Sequence, residues 1–188
     1  MFVARSTKAN AGDMATMRVV AQFLGADRAL GWGRASPDPC DGSWLGITCD
    51  ASGYVVYIIA NNSGLTGHLP WETRNLSMLA AIYLNNNSLS GDVPPLGPNL
   101  MEISLSYNRF MSISPEFFKD LHGNQFTGPI PNLASNIEME YIDLSKNALT
   151  GDVPQSLMQL HHLRVLNLSD NSLCGQLPKF IKKYDCKD

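Results

Sequence analysis

The chain has 188 residues, of which 44% are hydrophobic and 16% charged, with a formal net charge of −3. That balance permits a sizeable core but supplies no basic stripe to neutralise phosphates, which argues against a nucleic-acid binder. The longest apolar run, "YVVYIIA" at 54–60, falls well short of the roughly 20 residues that cross a bilayer.

At the N-terminus, Ala9-Asn10-Ala11 before Gly12 has the form of a signal-peptidase site, yet "MFVARSTK" ahead of it holds no apolar segment. Residues 1–12 therefore read as a signal-peptide remnant or a flexible tail. A helix is predicted from Asp13, which can cap it. Met17, Val20, Ala21 and Leu24 share one face, and Gly25 can end it. "PDPCDGSWLGITCD" follows. Trp32 and Trp44 read as core of this terminal unit rather than as binding aromatics.

From residue 55 the chain repeats. The phrase N-x-[LF]-x-G occurs as "NSLSG" at 87, "NQFTG" at 124, "NALTG" at 147 and "NSLCG" at 171, with "SGLTG" at 63 and "NRFMS" at 108 as imperfect copies. Upstream lie apolar triplets: Val55, Ile58, Ala60; Leu79, Ile82, Leu84; Leu100, Ile103, Leu105; Met139, Ile142, Leu144; and Leu163, Leu166, Leu168. Downstream comes a hydrophobic-Pro pair, as at Leu69-Pro70 and Val153-Pro154. This is the leucine-rich-repeat pattern in its plant form. Each short strand points its leucines inward and the intervening residues to the concave face. The repeated Asn can satisfy backbone groups of adjacent coils, and no coil can bury its leucines alone.

The fold expected is an α/β leucine-rich-repeat solenoid. It is a short curved right-handed superhelix with a concave parallel sheet and about five to six repeats. The N-terminal cap is helical, and a disulfide closes each end. The cap spans 13–54, the repeats 55–173 and a C-terminal cap 174–188. Four cysteines allow three pairings. The cap arrangement selects Cys40–Cys49 and Cys174–Cys186, which places the chain in an oxidising compartment. The sequons are Asn61, Asn75, Asn86 and Asn167. Asn75 lies off the strand face, whereas Asn167 falls between two core leucines on the concave face.

The repeat frame places Tyr57, Ile59, Tyr83, Asn85, Glu102, Ser104, Tyr141 and Asp143 on that concave face. The face reads equally as a solvated sheet surface or as a partner surface, for which tyrosine is well suited. An enzyme reading finds no catalytic residues. His68, His122, His161 and His162 sit in no triad or metal spacing, and no cofactor or metal is expected.

"DPCDGSWLGITC", "SGLTGHLPWETRNLSML", "LSGDVPPLGPNL" and "SYNRFMSISPEFFKDL" resemble the ectodomain of a plant leucine-rich-repeat receptor-like kinase, closest to the TMK (transmembrane kinase) type. The resemblance covers nearly all of 13–188. It implies a cell-surface receptor with a membrane helix and a Ser/Thr kinase beyond this segment. It also implies a protein or peptide ligand, a co-receptor kinase, or an auxin-binding-type apoplastic protein as partner. Two other classes compete. One is a secreted polygalacturonase-inhibitor-like defence protein, which "DNSLCGQLP" also resembles. The other is a structural co-receptor scaffold.

One interval breaks the repeat. Successive Asn-position spacings are 24, 21, 16, 23 and 24. The 16-residue coil, irregular near 116–124, cannot place Glu116 and Lys119 inward without a cost of several kcal/mol. Leu121 is expected to supply its only inward leucine, with Lys119 exposed and the parallel sheet weak or interrupted at 116–122. Within the resemblance, the short coil reads as a junction between the start of one repeat block and the end of a second.

Overall fold

The computed structural model describes residues 8–113, 121–133 and 140–174. The expectations for Lys119, for strand pairing at 114–120 and for Cys186 lie outside those residues.

The chain opens with helix α1 (Ala11–Leu24), followed by the short α2 (Ala26–Ala29). The cap lies three residues earlier than the Asp13 reading predicts, at Asn10, whose side chain accepts the Gly12 N–H at 2.9 Å. Asp13 is engaged elsewhere. It is 3% exposed and accepts the Val55 N–H at 2.8 Å, tying the helix to the first repeat strand. Burial pushes its carboxyl above the ordinary value. The Val55 bond opposes that shift, and the charge of Asp50 reinforces it. Met17, Val20, Ala21 and Leu24 are all buried, as the helical spacing requires. Trp32 and Trp44 stack at 5.6 Å in the core of the cap. Each indole N–H finds a carbonyl, at Leu45 and Ser36 respectively. Cys40 and Cys49 are joined.

The solenoid has two layers of short strands. In the inner layer β1 (Ile47–Cys49) lies antiparallel to β2 (Val55–Ile59). Strand β2 continues in parallel to β3 (Ala81–Tyr83), and β3 to β5 (Glu102–Ser104). Further along, β8 (Tyr141–Asp143) pairs in parallel with β10 (Val165–Asn167). The second layer holds β4 (Ser90–Val93) with β6 (Arg109–Ile113). It also holds β7 (Thr127–Gly128), β9 (Ala148–Asp152) and β11 (Ser172–Cys174), again parallel. Turns of 3₁₀ helix at Trp71–Asn75 and Gln155–Gln159 follow the Pro of the hydrophobic-Pro pair.

Two inward columns make the core. Ile58, Ile82 and Ile103 stack in register. Ala60, Leu84, Leu105, Leu121, Leu144 and Leu168 form the second column, every member 5% exposed or less. Full burial of one such leucine stabilises by about 1.5–3 kcal/mol.

The Asn residues form a ladder. Asn87, Asn108, Asn124, Asn147 and Asn171 each donate to a carbonyl of the preceding coil: Ala60, Leu84, Leu105, Leu121 and Leu144 in turn. Each also accepts a backbone N–H from that coil, at Leu65, Leu89, Phe110, Phe126 and Leu149. The ladder runs without a break through the 16-residue interval. Leu121 is fully buried there, and its N–H donates to the Asp143 carbonyl at 2.9 Å. The residue ahead of each of these ladder asparagines is left-handed: Asn86, Tyr107, Gly123, Lys146 and Asp170. Tyr107, at φ 52°, is the bulkiest side chain in this position. Its ring lies over Gly123, where a Cβ would stand 2.8 Å from Tyr107 Cδ1.

Candidate concave binding face

Pairing in the inner sheet fixes which outward residues are neighbours. Tyr57 lies opposite Ala81, and Ala81 opposite Glu102. Ile59 lies opposite Tyr83, and Tyr83 opposite Ser104. Tyr57 and Tyr83 are therefore diagonal across two strands, and Ala81 is buried beside them.

Tyr57 and Ile59 stand 42% and 45% exposed, apolar area that the described residues leave uncovered. The Tyr83 hydroxyl donates to Glu102. This bond pushes the phenol above its ordinary pKa, helped by desolvation and by the charges of Glu102 and Tyr57. Asn85, half-buried, donates its backbone N–H to the Asn61 side chain at 3.1 Å. Ser104 is half-buried and Glu102 exposed.

Leu45, 68% exposed, is a further apolar side chain that the repeat frame does not reach. It lies in the cap, next to Gly46, whose carbonyl accepts the Ile59 N–H at 2.8 Å. The only signal in the sequence is an apolar residue directly ahead of a glycine in the cap loop.

The other end of the face differs in chemistry. Tyr141 lies opposite Val165, and Asp143 opposite Asn167. Asp143, placed by the repeat frame in the open, is 8% exposed. One carboxylate oxygen accepts the Ser145 N–H at 2.9 Å and its hydroxyl at 2.7 Å. The other accepts Asn167 Nδ2 at 3.2 Å and the Tyr141 hydroxyl at 3.3 Å. Burial raises the carboxyl, but the Ser145 and Asn167 bonds and the field of His122 outweigh it, so the net shift is downward. His122 sits edge-on to Tyr107, with ring centroids 4.6 Å apart.

His68 packs on Phe23, and His161 and His162 are exposed. Among the described residues no group of three His, Cys, Asp or Glu could hold a metal ion, and no helix is long and apolar enough to cross a membrane.

A parallel solenoid with an asparagine ladder and a disulfide-closed helical cap defines a leucine-rich-repeat domain. Family models agree: "Leucine rich repeat N-terminal domain" matches 13–50, "Leucine Rich Repeat" 99–121 and "Leucine rich repeat" 133–173. The chain is similar to Pollen receptor-like kinase 2 of Arabidopsis thaliana, 33% identical, over 87% of this chain and 26% of that protein. It is also similar to Receptor-like kinase TMK2 of the same plant, 26% identical, over 94% of this chain and 21% of that protein. Among solved structures it resembles the Arabidopsis receptor kinase HAESA, described in complex with the peptide hormone IDA and the co-receptor SERK1. There the TM-score is 0.74 at 25% identity, covering 88% of this chain and 30% of that one. The chain belongs to the leucine-rich-repeat proteins, and its relatives are plant receptor-like kinases and receptor-like proteins. It spans about a quarter of the length of the curated relatives named here.

Proposed function

We propose that the chain is the extracellular recognition module of a plant leucine-rich-repeat receptor-like kinase or receptor-like protein. It binds a protein, peptide or co-receptor on its concave face and signals through a kinase outside this segment. The observation that carries this reading is the uncovered apolar surface at the N-terminal end of the concave sheet. Tyr57 and Ile59 remain solvent-exposed there, beside a Tyr83–Glu102 pair already held in place. Rigid aromatic side chains with a fixed polar neighbour give contact area at low entropic cost.

Asn85, Ser104, Tyr141 and Asp143 take the supporting polar role. Asp143 acts by orienting Tyr141 and Asn167, since it is itself buried. The relatives support the receptor class, and the partner named for HAESA supports a peptide or co-receptor ligand by analogy. The alternatives are a secreted polygalacturonase-inhibitor-like protein and a scaffold without its own ligand.

The test is cross-linking of the purified chain to proteins and peptides of apoplastic fluid, compared with the Tyr57→Ala/Ile59→Ala double variant. A ligand-binding receptor face loses its captured species in the variant. Capture that persists in the variant refutes the concave-face assignment. Inhibition of a fungal polygalacturonase by the wild-type chain would instead establish the secreted inhibitor.

A further inference from the structure

The N-terminal cap holds a pocket of its own, with a volume of about 260 Å³. That is roughly nine times the share of one water in the liquid. It falls below the range of about 300–1,000 Å³ typical of sites for drug-sized molecules, and suits a single small ring. Three segments build it. Arg18 and Gln22 lie one turn apart on α1, Asp27 comes from α2, and Trp32, Arg34 and Trp44 come from the loops that follow. The wall is fixed, since the two indoles stack and both their N–H groups are satisfied. The Cys40–Cys49 bond closes the loop that carries Trp44.

Its polar groups lack partners. Among the described residues the Arg18 and Arg34 guanidiniums have no acidic partner. Asp27 Oδ1 is buried without a hydrogen-bond donor, with Arg28 Nε no nearer than 3.9 Å. The Asp27 side chain as a whole is 44% exposed, so solvent reaches the carboxylate from its other side. A carboxylate left in that state is costly and calls for a donor.

These groups define a complementary ligand. Two guanidiniums against one carboxylate leave a single positive charge, which a monoanion matches. Forked N–H groups fit a carboxylate in particular. Asp27 accepts only, so it needs a hydroxyl; an ammonium donor would make the ligand a zwitterion and leave the positive charge unmatched. The indole carbons offer a wall for apolar C–H groups. A small ring with a carboxylate, hydroxyls and a C–H face is an acidic sugar.

We propose that this pocket binds a hexuronic acid, free or as the end unit of an oligomer. Its carboxylate lies on Arg18 and Arg34, one ring hydroxyl donates to Asp27, and the Gln22 amide takes another. The site is separate from the concave face, because none of its lining residues lies on a strand.

The test titrates the nitrogen-15-labelled, disulfide-intact chain with sodium galacturonate and with trigalacturonate. The Trp32 and Trp44 indole N–H resonances should shift and saturate with a Kd of about 1 mM, the scale for so small a ligand, while that of Trp71 stays in place. Galactose lacks the carboxylate and acetate lacks the hydroxyls, so each should bind about tenfold more weakly or worse. Arg18→Gln/Arg34→Gln should also lose about tenfold or more. Both arginines are exposed, so its unfolding midpoint should match wild type. A trimer that binds more tightly than the monomer identifies an oligomer end as the ligand, and equal affinities identify the single sugar. The Tyr57→Ala/Ile59→Ala variant should keep both affinities, so failure here leaves the receptor reading standing. No saturable shift up to about 20 mM galacturonate, or acetate bound as tightly as galacturonate, overturns the inference.

Discussion

Replacing Asn124 with alanine tests whether the ladder holds the short coil in place. Asn124 is 8% exposed and sits in the 16-residue interval. Its Oδ1 accepts the Phe110 N–H at 3.2 Å, the one side-chain acceptor that buried donor has. Its Nδ2 donates to the Leu105 and Leu121 carbonyls at 3.1 and 3.0 Å. The substitution does not orphan those carbonyls, since Leu105 keeps the Asn108 amide and Leu121 keeps the Asn147 amide, both at 3.1 Å. The loss is therefore one unsatisfied buried N–H, about 1–3 kcal/mol, plus about 1 kcal/mol for the two weakened carbonyls. Together the cost is about 2–4 kcal/mol. Asn171→Ala makes the same change at a half-buried position, where water can replace the amide, and should cost about 1 kcal/mol. Urea unfolding followed by circular dichroism reads both, and hydrogen exchange at the Phe110 amide should accelerate only in Asn124→Ala. An Asn124→Ala midpoint within about 0.5 kcal/mol of wild type at unchanged m-value would show that the coil is held by something other than the ladder.

Three further outcomes follow from the geometry. Gly123→Ala puts a Cβ 2.8 Å from Tyr107 Cδ1 at φ 65°, and should destabilise by about 1–3 kcal/mol in urea unfolding; adding Tyr107→Asn, which tolerates φ > 0 and removes the ring, should recover much of the loss. Asp143, whose folded pKa is lowered, contributes stability that is present above the unfolded carboxylate value of about 3.9 and lost as pH falls through the lower folded value. The acid-side slope of stability against pH should flatten in Asp143→Asn. Asp13, whose folded pKa is raised, acts with the opposite sign: stability falls as pH rises from the unfolded value to the folded one. Asp13→Asn, which keeps an acceptor for Val55, should remove that fall.

The periodic part of this structure was legible because one physical requirement generates it. Each coil must bury its leucines on neighbours, so the inward columns from Ala60 to Leu168 appear as a spacing rule. The parts that were not legible depend on contacts between coils. Asn10 and Asp13 are both capable caps by residue type, and the choice falls to Asn10 because Asp13 is claimed by Val55, 42 residues away. The frame put Asp143 on an outward position of its strand. It could not show that Ser145, Asn167, Tyr141 and His122 converge there and bury the carboxylate. Leu45 was invisible for a related reason, since the cap loop joins the sheet edge through a backbone bond at Gly46, which no side-chain pattern encodes.

The two ends of the concave face should contribute unequally to binding, and this can be measured. Tyr57 and Tyr141 are equally exposed, at 42% each, so area alone predicts equal effects of alanine. Their chemistry differs. The Tyr141 hydroxyl donates to Asp143, which also holds Asn167 and Ser145. A partner that displaces Tyr141 must break into a satisfied network around a buried carboxylate, and the desolvation cost offsets the benefit of covering the ring. Tyr57 stands between Ile59 on its own strand and Thr48 opposite on β1. Covering it removes apolar area from water with no competing loss, and truncating such an anchor commonly costs about 2 kcal/mol or more of binding. For a species captured from apoplastic fluid, Tyr57→Ala should weaken affinity about 30-fold or more. Tyr141→Ala should weaken it far less while lowering unfolding stability, because it removes a donor from Asp143. Equal losses of affinity with unchanged stability would show that exposed area, not the state of the surrounding hydrogen bonds, decides where the partner derives its binding energy.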